Sequence, residues 1–143
     1  SRGCRVHLIE RDRIVAALLQ DGLQRAASHA ATRNVCARIE VSLGDSLQLI
    51  RDVAGAPTKY DAIYLDPMYP ERGKSALVKK EMQVLQRLIG CENDAGQLLA
   101  AALAAGAGRV VVKRPRNAPS LADRPPSHSL NGKTTRFDVY MAP

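Results

Sequence analysis

Three acidic side chains stand where an apolar run gives way to polar chain, and each suits a different part of a nucleoside. Asp66 ends the run Tyr60-Asp61-Ala62-Ile63-Tyr64-Leu65 and leads into Pro67-Met68-Tyr69, Glu10 closes Arg5-Val6-His7-Leu8-Ile9, and Asp45 sits between Gly44 and Ser46. A carboxylate at the lip of a buried strand is costly unless something partners it. One chemistry that needs such a corner is methylation of an exocyclic base amine, a poor nucleophile because its lone pair is delocalised into the ring. A carboxylate from Asp66 and the main-chain carbonyl of Pro67 would accept the amine hydrogens and turn the lone pair toward the sulfonium methyl of S-adenosylmethionine, while the ring of Tyr69 stacks on an extruded base. This chemistry uses no metal and no covalent nucleophile. A cytosine-C5 methyltransferase would want a cysteine here, and none is present.

The other two acids fit the cofactor. An acid at the end of the second strand of a dinucleotide-type fold accepts from ribose hydroxyls, which is the position of Glu10 if one strand precedes it. Asp45, with Ser46 beside it, would accept from an exocyclic adenine amine. Taken singly, each of these residues reads first as an ordinary helix cap or solvated acid. Together on one rim they point to a ligand.

The elements that must position them alternate. Residues 5–10 read as a strand, and Asp12 caps a helix from Arg13 to about Ala30 with Ile14, Ala17, Leu18, Gly22 and Leu23 on its inner face. Residues 37–43 form a second strand, and Gly44-Asp45-Ser46 a turn capping a short helix to about Asp52. The third strand, 60–65, breaks at Asp66-Pro67 because proline cannot donate to a ladder. Ser75 caps a helix over about 76–89, and an Ala/Leu-rich helix runs from Asp94 to about Ala105. Arg109–Lys113 is the unbroken apolar run of a strand buried on both faces. Residues 114–126 are too proline-rich for regular structure, and the tail reads as a β-hairpin with Asn131-Gly132 at its turn. Alternating strands and helices predict an α/β fold with a mostly parallel sheet and a C-terminal antiparallel hairpin, whose ligands lie beyond the carboxyl ends of the strands. Glu10, Asp45 and Asp66 each occupy such an end and are expected to meet in one crevice.

At 143 residues the chain is read as one domain spanning 1–143. A net charge of +7 and a pI near 9.7 suit a polyanionic partner. Cys4, Cys36 and Cys91 share no metal-ligand or disulfide spacing and read as small buried hydrophobes in a reducing compartment. No run approaches the roughly 18 apolar residues of a membrane span, so a cytoplasmic location is expected.

Asp66-Pro67-Met68-Tyr69 resembles the (Asp/Asn/Ser)-Pro-Pro-(Tyr/Phe) signature of amino-methyltransferases, with Met68 in place of the second proline. With "YLDPMYPERGKSALVKKEMQVLQRLIG", "LIERDRIVAALLQDGLQRA" and "RVVVKRPRNAPSLA…GKTTRFDVY", nearly the whole chain resembles the ribosomal small-subunit methyltransferase J family. The resemblance implies a Rossmann-like class I S-adenosylmethionine-dependent methyltransferase fold and transfer of a methyl group to the N2 amine of a guanine in 16S rRNA. It places cofactor contacts on Glu10, Arg11, Asp45, Ser46 and Asp66, with Asp66, Pro67 and Tyr69 at the reacting amine. It also implies a departure: the family's glycine-rich N-terminal loop and central first strand precede Ser1. In the sheet order 3-2-1-4-5-7-6 that strand lies between those ending at Glu10 and Asp66, so two inner edges should lack partners, and this fragment alone should bind cofactor weakly. Arg72, Lys74, Lys113 and Arg114, with Lys79, Lys80 and Arg116 nearby, are expected to meet RNA phosphates while the pocket selects the base. The alternatives are a catalytically silent RNA-binding domain and an amino-methyltransferase acting on another substrate.

Overall fold

The computed structural model describes residues 3–53, 60–67 and 94–141. They form two compact units, Ser1–Leu49 and Ile50–Pro143.

In the first unit, β1 (Val6–Glu10) pairs in parallel with β2 (Ile39–Leu43), with Glu10 opposite Leu43. Between them run α1 (Arg13–Ala27) and α2 (Ala30–Cys36). The single long helix expected here is thus two. Ser28 donates its hydroxyl to the Arg25 carbonyl at 2.6 Å, and His29 has an extended backbone and starts the second helix. Asp12 caps α1 as expected, Oδ1 accepting from the N–H groups of Ile14 and Val15 at 2.8 and 2.9 Å. The inner face differs from expectation. Ala16 is the buried residue of α1, whereas Ile14 and Leu18 are 59% and 62% exposed. Gly22 and Leu23 face inward as expected, with Ala26 and Ala27, but in the first turns Val15 and Ala16 take the place expected for Ile14, Ala17 and Leu18. Cys4 is also exposed and Cys36 only half-buried, so the expectation of buried thiols does not hold for Cys4.

The unit boundary falls within α3 (Ser46–Val53), whose Ile50 joins the core of the second unit. There the strand order is β3-β4-β6-β5, from β3 (Ile63–Leu65), β4 (Arg109–Pro115), β5 (His128–Asn131) and β6 (Thr135–Met141). The β3–β4 pair is parallel and the pairs involving β6 are antiparallel. The helix α4 (Ala95–Ala104) packs Leu99 and Ala102 against Leu65, Val110, Val112 and Tyr140, and Leu121 completes the core. Gly106 ends α4 with φ at +74°, a left-handed conformation that L side chains adopt only with strain.

Among the described residues, β1 pairs with β2 alone and β3 with β4 alone.

The proline-rich stretch is more ordered than its composition suggests. β4 continues through Pro115, and a 3-10 turn covers Leu121–Asp123 with Ala122 and Asp123 at positive φ. Its anchor is Arg136, whose guanidinium donates to the carbonyls of Arg116 and Ala118 at 2.8 and 2.7 Å. The same group grips Asp138 with two bonds, 2.8 and 3.0 Å, and Ser129 adds a third at 2.6 Å. The closing hairpin does not turn at Asn131-Gly132 alone. Asn131 remains in the ladder opposite Arg136, leaving a four-residue connection in which Gly132 N–H bonds to the Thr135 carbonyl at 2.7 Å.

Candidate functional site

Both acids of the first unit lie at the carboxyl end of the β1–β2 ladder. The parallel register carries Glu10 alongside Leu43, and the next rung is a main-chain bond from Gly44 N–H to the Glu10 carbonyl at 2.9 Å. This bond sets the turn after β2 beside the tip of β1. Glu10 is half-buried, with Oε1 accepting from the Asp12 N–H at 2.8 Å. Asp45 uses Oδ1 to cap α3, taking the N–H groups of Leu47 and Gln48 at 2.8 and 3.0 Å. Each carboxylate therefore has one oxygen fixed by local backbone and a second oxygen on a rigidly held group. Ser46 opens α3 next to Asp45, and Arg11 is exposed after Glu10.

In the second unit Asp66 stands one residue past the end of β3. The rung Leu65↔Val112 brings its neighbours Asp66 and Lys113 together, and Lys113 Nζ donates to Asp66 Oδ2 at 2.9 Å. Both side chains are about half exposed, at 40% for Lys113 and 49% for Asp66. The hydrogen bond to Asp66 raises the Lys113 pKa above its ordinary value, outweighing the opposing effect of burial. On the same face, two residues back along β3, Tyr64 is 55% exposed and its ring lies 6.5 Å from that of Phe137, tilted by 40°. Burial and the nearby Asp66 charge raise the Tyr64 hydroxyl pKa, against a lowering by Lys113. The arrangement is an ion-paired acid beside an accessible aromatic surface at a strand tip. Chemically it can accept a hydrogen bond from an amine and offer a flat apolar contact.

Sequence reasoning found Asp66 but not its ion pair with Lys113. Lys113 read as a phosphate contact because it stands at a strand end beside Arg114 and Arg116; the parallel pairing of β3 with β4 is what brings it to Asp66. Arg114 differs more sharply. It is 4% exposed and hydrogen-bonds the Pro119 carbonyl, so its guanidinium holds the loop after β4 from inside and is not displayed to a polyanion. Arg116 is exposed. Tyr69, Arg72, Lys74, Lys79, Lys80, Cys91 and the helix expected over 76–89 lie outside the described residues. Among the described residues no group of three or more His, Cys, Asp or Glu side chains is placed to hold a metal ion, and no helix is long and apolar enough to cross a membrane.

This architecture has known counterparts. The chain is 52% identical over 138 residues to ribosomal RNA small subunit methyltransferase J of Pseudomonas fluorescens, covering 96% of the chain and 52% of that relative. It is also 52% identical over 141 residues to the protein of the same name from Thioalkalivibrio sulfidiphilus, covering 99% and 55%. The chain thus spans about half the length of the curated relatives it matches. Among solved structures, a SAM-dependent methyltransferase from Neisseria gonorrhoeae superposes with a TM-score of 0.76 at 37% identity, over 97% of this chain and 53% of the other. A methylase from Haemophilus influenzae shares the fold at 15% identity and a TM-score of 0.58, over 96% and 71%. A family model for SAM-dependent methyltransferases matches residues 1–142, and the chain belongs to that family.

Proposed function

We propose that the protein transfers a methyl group from S-adenosylmethionine to the exocyclic N2 amine of a guanine in 16S rRNA. The observation that carries this reading is identity near one half, over 96–99% of the chain, to relatives named for small-subunit ribosomal RNA methylation. The site chemistry is consistent with it. Glu10 and Asp45 are acidic acceptors fixed at one end of a parallel ladder, matching the hydroxyl and amine donors of an adenosyl group, so the residues present fit the cofactor. Glu10, with Arg11, would hold the ribose, and Asp45 with Ser46 the adenine.

When bound, the cofactor would supply an electrophilic methyl group for the amine nitrogen, its sulfur keeping the electron pair as leaving group. The chain's contribution is orientation. Asp66 and the Pro67 carbonyl would hold the amine hydrogens so that the nitrogen lone pair is aimed, and the Asp66 carboxylate takes up the proton the amine sheds before passing it to water. Tyr69 would stack on the base. Arg72, Lys74 and Arg116 would bind phosphates, positioning the RNA without reading its sequence. Residues 1–143 act in this reading as part of one catalytic domain in the cytoplasm, where ribosomal RNA is substrate.

The test is transfer of labelled methyl from S-adenosylmethionine to small-subunit RNA from a strain lacking this modification, followed by digestion to nucleosides. Label in N2-methylguanosine is expected. Binding of cofactor and RNA without transfer would favour a silent RNA-binding domain, and label in another nucleoside would reassign the substrate.

A further inference from the structure

We infer that Lys113 is a positioning residue for the reaction, clamping Asp66, and not a contact for RNA phosphate. The inference deepens the proposed methyl-transfer reading and rests on it. Three features of the second unit converge. The β3–β4 register makes Asp66 and Lys113 successors of a paired rung, so their approach follows from the sheet and not from chance rotamers. The ammonium bonds one named oxygen, Asp66 Oδ2, at 2.9 Å. On its other side, Lys113 sits directly opposite Phe137 in the β4–β6 ladder, and Phe137 in turn meets Tyr64. Lys113 is thereby bracketed by the acid on one strand and an aromatic pair spanning the sheet.

The physical need for a clamp comes from where Asp66 sits. A half-exposed aspartate just past a strand end, before a proline, is free to rotate its carboxylate among several orientations. Fixing Oδ2 leaves the remaining oxygen as the acceptor for the amine and removes competing orientations before substrate arrives. A misplacement of about 1 Å at a reacting centre costs on the order of 100-fold in rate. The ammonium also offsets the carboxylate charge, so that RNA phosphates approach a locally neutral corner.

The experiment compares wild-type full-length protein with Lys113→Met, Lys113→Arg, Asp66→Asn and the Lys113→Met/Asp66→Asn double variant. The readouts are kcat, KM for RNA, and the salt dependence of RNA binding. The clamp predicts a fall in kcat of about 10- to 100-fold in Lys113→Met with KM and the salt slope unchanged. Most of that loss should be recovered in Lys113→Arg. Adding Lys113→Met to Asp66→Asn should cost nothing further, because the lysine acts through the acid. A phosphate contact would give the reverse pattern: kcat retained, RNA affinity reduced, the salt slope lowered by about 0.7, and the same loss again in the Asp66→Asn background. That pattern overturns the inference. Failure of wild-type protein to transfer methyl at all would instead overturn the functional reading. The clamp would then be judged by NMR titration of the Lys113 ammonium, whose midpoint should fall in Asp66→Asn and whose constancy would refute it. Should Lys113→Met not fold, Lys113→Gln replaces it in the same cycle.

Discussion

Replacing Asp138 by asparagine should destabilise the protein by about 3 kcal/mol at neutral pH. Asp138 is completely buried, and its carboxylate takes two bonds from Arg136 and one from Ser129. Breaking a buried ion pair from one side costs roughly 3–5 kcal/mol, because the remaining charge is left without its counterion. The lower end applies here, since Arg136 keeps its bonds to the Arg116 and Ala118 carbonyls and remains 15% exposed. The pH dependence follows from the same geometry. Burial pushes the Asp138 carboxyl up, but the bonds from Arg136 and Ser129 and the charges of Arg136 and Arg114 outweigh it and hold the pKa below the ordinary value. A carboxyl lowered in the folded state contributes stability that is complete above its unfolded pKa, about 3.9, and is lost as pH falls through the folded value. Urea unfolding of wild type and Asp138→Asn should therefore differ by about 3 kcal/mol at pH 7, and the gap should narrow progressively below about pH 4. A gap under about 1 kcal/mol at pH 7, or one that stays constant into acid, would refute the argument that an ionised, paired Asp138 holds the β4–β6 corner together.

Other perturbations have sharper local causes. Leu99→Ala should cost about 3 kcal/mol by urea unfolding, since Leu99 is 1% exposed at the centre of the core and truncation leaves a cavity. Gly106→Ala should cost about 1 kcal/mol in the same assay, because the helix terminus requires a positive φ there. Lys113, raised by its bond to Asp66, contributes stability that is present below its unfolded pKa of about 10.4 and lost as pH rises through the folded value; Asp66→Asn should flatten the alkaline limb of the stability curve.

The elements that position the site were legible where local chemistry decides them. Asp12 and Asp45 cap their helices because side-chain oxygens reach backbone donors two and three residues on, a relation written in sequence order. The valine run of β4 was legible as a strand, but not its one-sidedness: it reads as buried on both faces, whereas Val110 and Val112 are fully buried in the core with Leu99 and Ala102 and Val111 between them is only half-buried. Ladders between distant segments were less visible. The Asp66–Lys113 pair joins residues 47 apart, and the Arg136–Asp138 grip that orders a proline-rich loop looks in sequence like two unremarkable charges on a strand. The break between α1 and α2 was missed because Ser28 and His29 carry no helix-breaking signal of the strength of proline or glycine. The first turns of α1 were misplaced, though Gly22 and Leu23 were not, because the alanines there give two nearly equivalent faces and contact with β1 and β2 selects between them.

The most direct measurement is calorimetric titration of S-adenosylmethionine into full-length wild-type protein and the Glu10→Ala variant. Hydrogen bonds to a charged group contribute roughly 1.5–3 kcal/mol each, so losing those to the ribose should weaken binding at least about tenfold while the unfolding midpoint changes little. Equal affinity in the two proteins would contradict the assignment of the β1 tip to the cofactor, and with it the reading of this rim as the place where the methyl donor is held.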